Sequence, residues 1–189
     1  MSSILLSGPA AEPLTLDEAK AYLRVEHSDD DLTIAALIAG SRIHVERQTR
    51  RALITQSWRI VRDGWPADGR ISLSPSPLQD IVAARVYELD GSTRDIGLQA
   101  FVIDKGAAAI AFAPWALPQP GRIAAGIEID IRVGYGDAAA DVPEPLRQAI
   151  RLLVAHWYEN RSAPAGALPI GATPAGVAAL IAPYRVASL

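Results

Sequence analysis

The apolar residues of this chain change their spacing twice, near residue 53 and again near residue 137, and this double switch restricts the fold more than any other feature. The spacing is helical before the first switch, extended between the two, and helical again after the second. Strands grouped between helical runs imply an α+β fold with segregated layers, because a parallel βαβ sheet would need the two periods to alternate.

In the first helical run, Thr15 is followed three residues later by Glu18, the spacing of a capping box in which hydroxyl and carboxylate each satisfy an orphan amide. Leu16, Ala19 and Leu23 follow at helical spacing, predicting a short helix over residues 16 to 24. In His27-Ser28-Asp29-Asp30-Asp31, either Ser28 or Asp29 can cap a second helix, whose positive end the carboxylates would meet. Ile34, Leu37, Ile38, Ser41 and Val45 then lay a mostly apolar stripe along residues 30 to 52, a long second helix.

Seven extended segments follow, at 54 to 61, 70 to 73, 80 to 89, 93 to 96, 100 to 104, 108 to 113 and 127 to 133, which predicts a block of six to seven antiparallel strands. Asp90-Gly91 marks a hairpin between two of them. The last alternates cleanly, with Ile127, Ile129, Ile131 and Val133 set against Glu128, Asp130 and Arg132, so one face is expected in the core and the other in water. Gly134-Tyr135-Gly136 ends that strand, and Pro143 and Pro145 sit where a helix can begin without losing needed donors. Leu146, Ile150, Leu153, Val154 and Trp157 give this third helix an apolar face. Residues 161 to 172 read as a mobile Pro/Gly/Ala loop. Thr173-Pro174 opens a last short helix with Val177, Leu180 and Ile181, Pro183 closes it, and the tail from Tyr184 is expected to be free in the isolated chain. The expected division is a four-helix body from residues 1–52 and 137–189, with a β-rich subdomain at 53–136.

The chemistry available to the chain is narrow. Without cysteine there is no disulfide scaffold, thiolate metal site or thiol nucleophile, and His27, His44 and His156 lack the spacing of a metal cluster. No cofactor is expected. Gly134-Tyr135-Gly136-Asp137 has no following lysine and fails as a phosphate loop. The aspartate run has neither the alternate ligands nor the twelfth-position glutamate of a calcium loop. His156 has no nucleophile elbow near it, so an enzyme is not expected. The net charge of −3 gives no general pull toward nucleic acid or anionic lipid, and charges interrupt every apolar run that might span a membrane. The N-terminus has no positively charged segment before its short apolar stretch, as a secretory signal would, so synthesis in the cytoplasm is expected.

Charge is nevertheless unevenly placed. Arg42, Arg47, Arg50 and Arg51 against Glu46 leave +3 at the end of the second helix, whereas seven carboxylates and two basic residues give −5 over residues 12 to 31. Patches of opposite sign suit head-to-tail association, which makes Asp29, Asp30, Asp31, Arg42, Arg47, Arg50 and Arg51 candidate subunit-interface residues. The alternative is a small nucleic-acid-binding module that uses the arginine-rich helix end.

Three stretches carry a resemblance. LTLDEAKAYLRVEHSDDDLTIAALIAGSRIHVERQTRRAL resembles the opening of head-tail connector proteins, also called adaptor or head-completion proteins, of long-tailed phages and gene transfer agents. ITQSWRIVRDGWP with ISLSPSPLQDIVAARVYELDG is similar to the strand-rich insertion of one subgroup, and VGYGDAAADVPEPLRQAIRLLVAHWYENRSAP with ATPAGVAALIAPYR is similar to its ending. The resemblance implies a non-enzymatic structural protein at the head-tail junction of a virion or gene-transfer-agent particle, made in the bacterial host. Its copies would form a ring, twelve-fold in the particle, that joins the portal protein to a tail or stopper protein and lets DNA pass only as cargo. It further implies a portal-facing tail in which Pro183, Tyr184, Arg185, Val186 and Leu189 make the contacts, and no membrane partner.

Overall fold

The computed structural model describes residues 2–160 and 173–186. The expected loop at 161–172 and the tail residues 187–189, Leu189 among them, lie outside the described residues. Among the described residues the fold is α+β, with four α-helices and two antiparallel sheets of five and three strands. It divides into two compact units, a β unit of Met1–Ala10 with Thr55–Tyr135 and a helical unit of Ala11–Ile54 with Gly136–Leu189.

The β unit contains a strand that the sequence did not signal. β1 (Ser2–Ser7) pairs antiparallel with β2 (Gln56–Arg62), which draws residues 2–7 out of the helical unit to which the sequence assigns them. The segment SSILLS shows neither clean alternation nor a turn signal, and only its pairing makes it a strand. β3 (Arg70–Ser72), β4 (Leu78–Tyr87), β5 (Thr93–Asp95), β6 (Phe101–Asp104), β7 (Ala109–Phe112) and β8 (Ile127–Val133) fall on the expected segments, within a few residues at their ends. The larger sheet runs β1-β2-β8-β4-β5 and the smaller β3-β7-β6. The turn from β4 to β5 uses Asp90-Gly91 as expected: Gly91 takes φ +87°, and Asp90 Oδ1 accepts from the Ser92 amide at 2.8 Å. Around the smaller sheet, Trp65 packs edge-on to Phe112 with centroids 5.0 Å apart and donates its indole N–H to the Pro118 carbonyl at 2.8 Å.

The outer face of β8 is only partly wet: Arg132 is exposed and Glu128 half-buried. Ile127, Ile129, Ile131 and Val133 are fully buried, but Asp130 on the opposite face is only 9% exposed. Two arginines from the flanking strands fold over it. Arg59 of β2 grips the Asp130 carboxylate through Nε at 2.7 Å and Nη2 at 2.9 Å, and Arg85 of β4 reaches Oδ2 at 2.5 Å. Glu128 joins the cluster at 3.2 Å from Arg59. Charge pairing across neighbouring strands therefore covers part of a face that strand alternation alone would leave to solvent.

In the helical unit, α1 (Leu16–Leu23) begins with the predicted capping box: Thr15 Oγ1 accepts from the Glu18 amide at 3.2 Å, and Glu18 Oε2 accepts from the Thr15 amide at 2.9 Å. α2 (Asp31–Thr49) ends three residues before the expected limit because Arg50 turns into the left-handed region at φ +58°. α3 (Glu144–Glu159) starts behind Pro143 and buries Leu146, Ile150, Leu153 and Val154, and α4 (Ala175–Ile181) buries Val177 and Ile181. Trp157 is half-buried at the α2–α3 contact, where it meets Gly40 and stands edge-on to His44 at 5.8 Å. A β-carbon at Gly40 would lie 3.5 Å from the Trp157 ring, an ordinary contact.

Two substitutions check this packing. Gly40→Ala removes helix-interior glycine entropy without a clash, so urea unfolding is expected to show a gain of roughly 0.5–1 kcal/mol. Asp130→Ala removes the carboxylate that Arg59 and Arg85 share, leaving them only Glu128, and is expected to cost about 2 kcal/mol. The Arg59 hydrogen bonds hold the Asp130 carboxyl below its ordinary 3.8, so its stabilising contribution is present above that value and is lost as pH falls through the lowered one. The slope of stability against pH in strong acid should be shallower in Asp130→Ala.

Candidate assembly interface

The charged and terminal residues singled out in the sequence gather on the helical unit, but the structure divides them into buried ties and exposed groups. Arg42 is a tie. Its side chain is 11% exposed, with Nε 2.8 Å from Glu12 and Nη1 2.8 Å from Glu46, and these partners raise its pKa against the opposing effect of burial. Glu46 in turn accepts the Leu53 amide at 2.9 Å, so Arg42 links the stretch ahead of α1 to the C-terminal half of α2 and the chain leaving it.

The aspartate run divides in the same way. Asp30 accepts the Tyr158 hydroxyl from α3, and Asp31 accepts from Lys20 of α1 at 2.6 Å. Neither Ser28 nor Asp29 caps α2 through its side chain. Asp30 occupies the N-cap position without a side-chain bond to the helix, since its carboxylate is engaged by Tyr158. Asp29 is exposed, 3.9 Å from His27. Local spacing marks a run of carboxylates as a cap, but contacts across helices decide where each one points.

The tail is pinned where the sequence expects it to be free. After α4 a 3₁₀ turn runs through Ala182–Tyr184, and the chain then extends along the end of α2. Arg51 Nε donates to the Tyr184 carbonyl at 2.6 Å, the Val186 amide donates to the Thr49 carbonyl at 3.0 Å, and Arg185 reaches Gln48 Oε1 at 3.1 Å. The orphan carbonyls of a helix C-terminus accept such donors, which explains why Pro183 to Val186 settle there. Of the four arginines at this end, Arg47 and Arg50 remain exposed on the surface.

Two further features complete the helical unit. Arg147 of α3 joins Glu18 at 2.6 Å and the Pro13 carbonyl at 3.0 Å, and the Thr15 amide, the main cause, together with Arg147 keeps the Glu18 carboxyl below its ordinary value. His44 Nε2 lies 3.1 Å from Thr173 Oγ1, just ahead of α4. A hollow of about 300 Å³ lined by Ala11, Glu12, Leu14, Thr15, Leu16, Ala35 and Ile38 is almost wholly apolar and lacks the convergent polar groups of a ligand site. Among the described residues no group of three or more His, Asp or Glu is placed to hold a metal, and no helix is long and apolar enough to cross a membrane.

His44 gives this region a pH signature. Burial lowers its pKa below the ordinary 6.5, so the unfolded chain takes up the proton first, and the stability due to neutral His44 is lost as pH falls below that value. Melting temperatures measured downward from neutral pH should begin to drop in this window, ahead of the carboxylate-driven fall, and His44→Gln should remove the early drop.

No protein-family model matches the chain, and no curated protein matches it. Solved structures do. A chain in the neck of an empty gene transfer agent particle, computed with C6 symmetry, matches with a TM-score of 0.81 and 25% identity over 100% of this chain and 97% of that one. A chain in the virion of a native gene transfer agent particle matches with a TM-score of 0.80 and 23% identity, and one in the neck of a native particle computed with C12 symmetry with 0.79 and 24%, at the same coverage. The likeness spans both units, including β1 and the tail segment, and agrees with the resemblance carried by the sequence. Over its full length the chain is similar to chains in the necks of gene transfer agent particles, in keeping with the head-tail connector resemblance of its sequence.

Proposed function

We propose that copies of this chain close into a ring that joins the portal to the tail, with DNA passing through the lumen as cargo and no chemistry performed by the subunit. The full-length likeness to a neck chain at 25% identity carries this reading. The surface is compatible with it: Asp29 at one end of α2 and Arg47 with Arg50 at the other offer opposite charges for contacts between neighbouring copies, while Asp30, Asp31, Arg42 and Arg51 hold the subunit itself together. Ring closure needs only such a heterologous contact repeated at a fixed rotation.

The portal-facing element is the tail, Pro183, Tyr184, Arg185 and Val186, continuing to Leu189. A short segment with aromatic, cationic and apolar groups can add backbone pairing and anchor its side chains on a partner. Imaging of particles from the source should show the protein as a symmetric collar beneath the portal, and finding it only in the capsid wall overturns the reading. Deleting residues 183–189 removes the Arg51, Thr49 and Gln48 contacts but leaves Val177 and Ile181 in the core. The truncated subunit is therefore expected to fold with a small loss of stability and to fail to join portal-bearing heads. Normal occupancy of the truncated protein in particles would assign portal attachment to another surface.

A further inference from the structure

Helix α2 is apolar on two opposite sides, and among the described residues only one of them is buried. Ile34, Ile38 and Val45 form the core side and are buried. At about 100° per residue, Leu32, Ala36, Ala39 and Ile43 fall on the opposite side, spaced i, i+4, i+7 and i+11. They form a stripe about 16 Å long at 1.5 Å per residue. Leu32 is 88% and Ile43 42% exposed. A helix with apolar residues on both sides is expected to be covered on both sides.

The charges at its two ends say what can cover it. Asp29, just before the first turn, is exposed, and Arg47, four residues beyond Ile43, continues the stripe and is also exposed. The face is therefore acidic at its start, apolar with two small residues in the middle, and basic at its end. This order is complementary to itself read backwards. A second copy laid antiparallel about a two-fold axis midway between residues 37 and 38 sets Leu32 on the partner's Ile43, Ala36 on the partner's Ala39, and Asp29 beside the partner's Arg47. The alanines let the two helices approach, opposite charges meet at both ends, and the helix dipoles run antiparallel.

We propose that the free chain forms an antiparallel two-fold dimer through this face of α2. Such a contact is isologous and closes on itself, so it belongs to the chain before assembly and is separate from the contact a ring requires. Because Asp29 and Arg47 serve in both, the dimer must open before a ring can form.

Light scattering on the full chain over a concentration series should give the mass of two chains. Leu32→Glu with Ile43→Glu should return it to one, with an unchanged far-UV circular dichroism spectrum because both positions are exposed in the subunit. Arg47→Glu should weaken the dimer, and Asp29→Arg on that background should restore it. The chain has no cysteine, so register can be read directly. Under oxidation, Leu32→Cys chains mixed with Ile43→Cys chains should cross-link to each other, whereas either alone should not, since equal positions lie about 16 Å apart along the axis and a disulfide needs Cα atoms within about 7 Å. A single-chain mass at every concentration, a dimer that survives the double glutamate variant, or cross-linking of Leu32→Cys to itself each overturns the proposal. None of these outcomes bears on the ring, which particle imaging decides.

Discussion

Strand β8 is paired along both edges, and the β unit depends on that arrangement. Residues 127–133 lie between β2 and β4, so segments more than forty positions away in sequence meet on one short strand. Its isoleucines bury one face completely, while Asp130 on the other face collects Arg59 from one neighbour and Arg85 from the next. The same strand thus carries both an apolar layer and an ionic clasp. Gly134 ends it: φ +128° there suits a residue without a side chain, and the Gly134 amide closes on the Pro77 carbonyl at 2.9 Å.

Helix α2 plays the corresponding part in the helical unit. Lys20 from α1 and Tyr158 from α3 are tied to adjacent aspartates at its N-terminal end, Trp157 packs at its middle, and the tail lies across its C-terminal carbonyls. Most of the charged residues near its ends are engaged in this way, so what remains for partners is limited to Asp29, Arg47, Arg50 and the apolar side described above. A structural subunit needs no polarised pocket or activated nucleophile, and its function rests on which groups the fold leaves unspent.

The sequence by itself determined the element order. Helical and extended periods are properties of local spacing, and the capping box at Thr15 and Glu18, the Asp90-Gly91 turn, the alternation of 127–133 and the proline start of α3 are each complete within a few residues. Local signals of that kind survive folding because tertiary contacts have no reason to oppose them. The resemblance to connector proteins was legible for a related reason, since the order of these signals along the chain runs almost unbroken from end to end.

Only the tertiary structure decided what each polar group and each chain end does. β1 became a strand because β2 offered an edge, and its own sequence carries no period to announce it. Arg42, Asp30 and Asp31 resembled surface charge because their partners, Glu12, Tyr158 and Lys20, come from elsewhere in the fold. Tyr184 and Val186 resembled a loose end until the Arg51 guanidinium and the Thr49 carbonyl were in place to receive them. A backbone period is set by neighbours three or four residues away, whereas an ion pair or a pinned tail is set by distance in space, which a chain acquires only on folding.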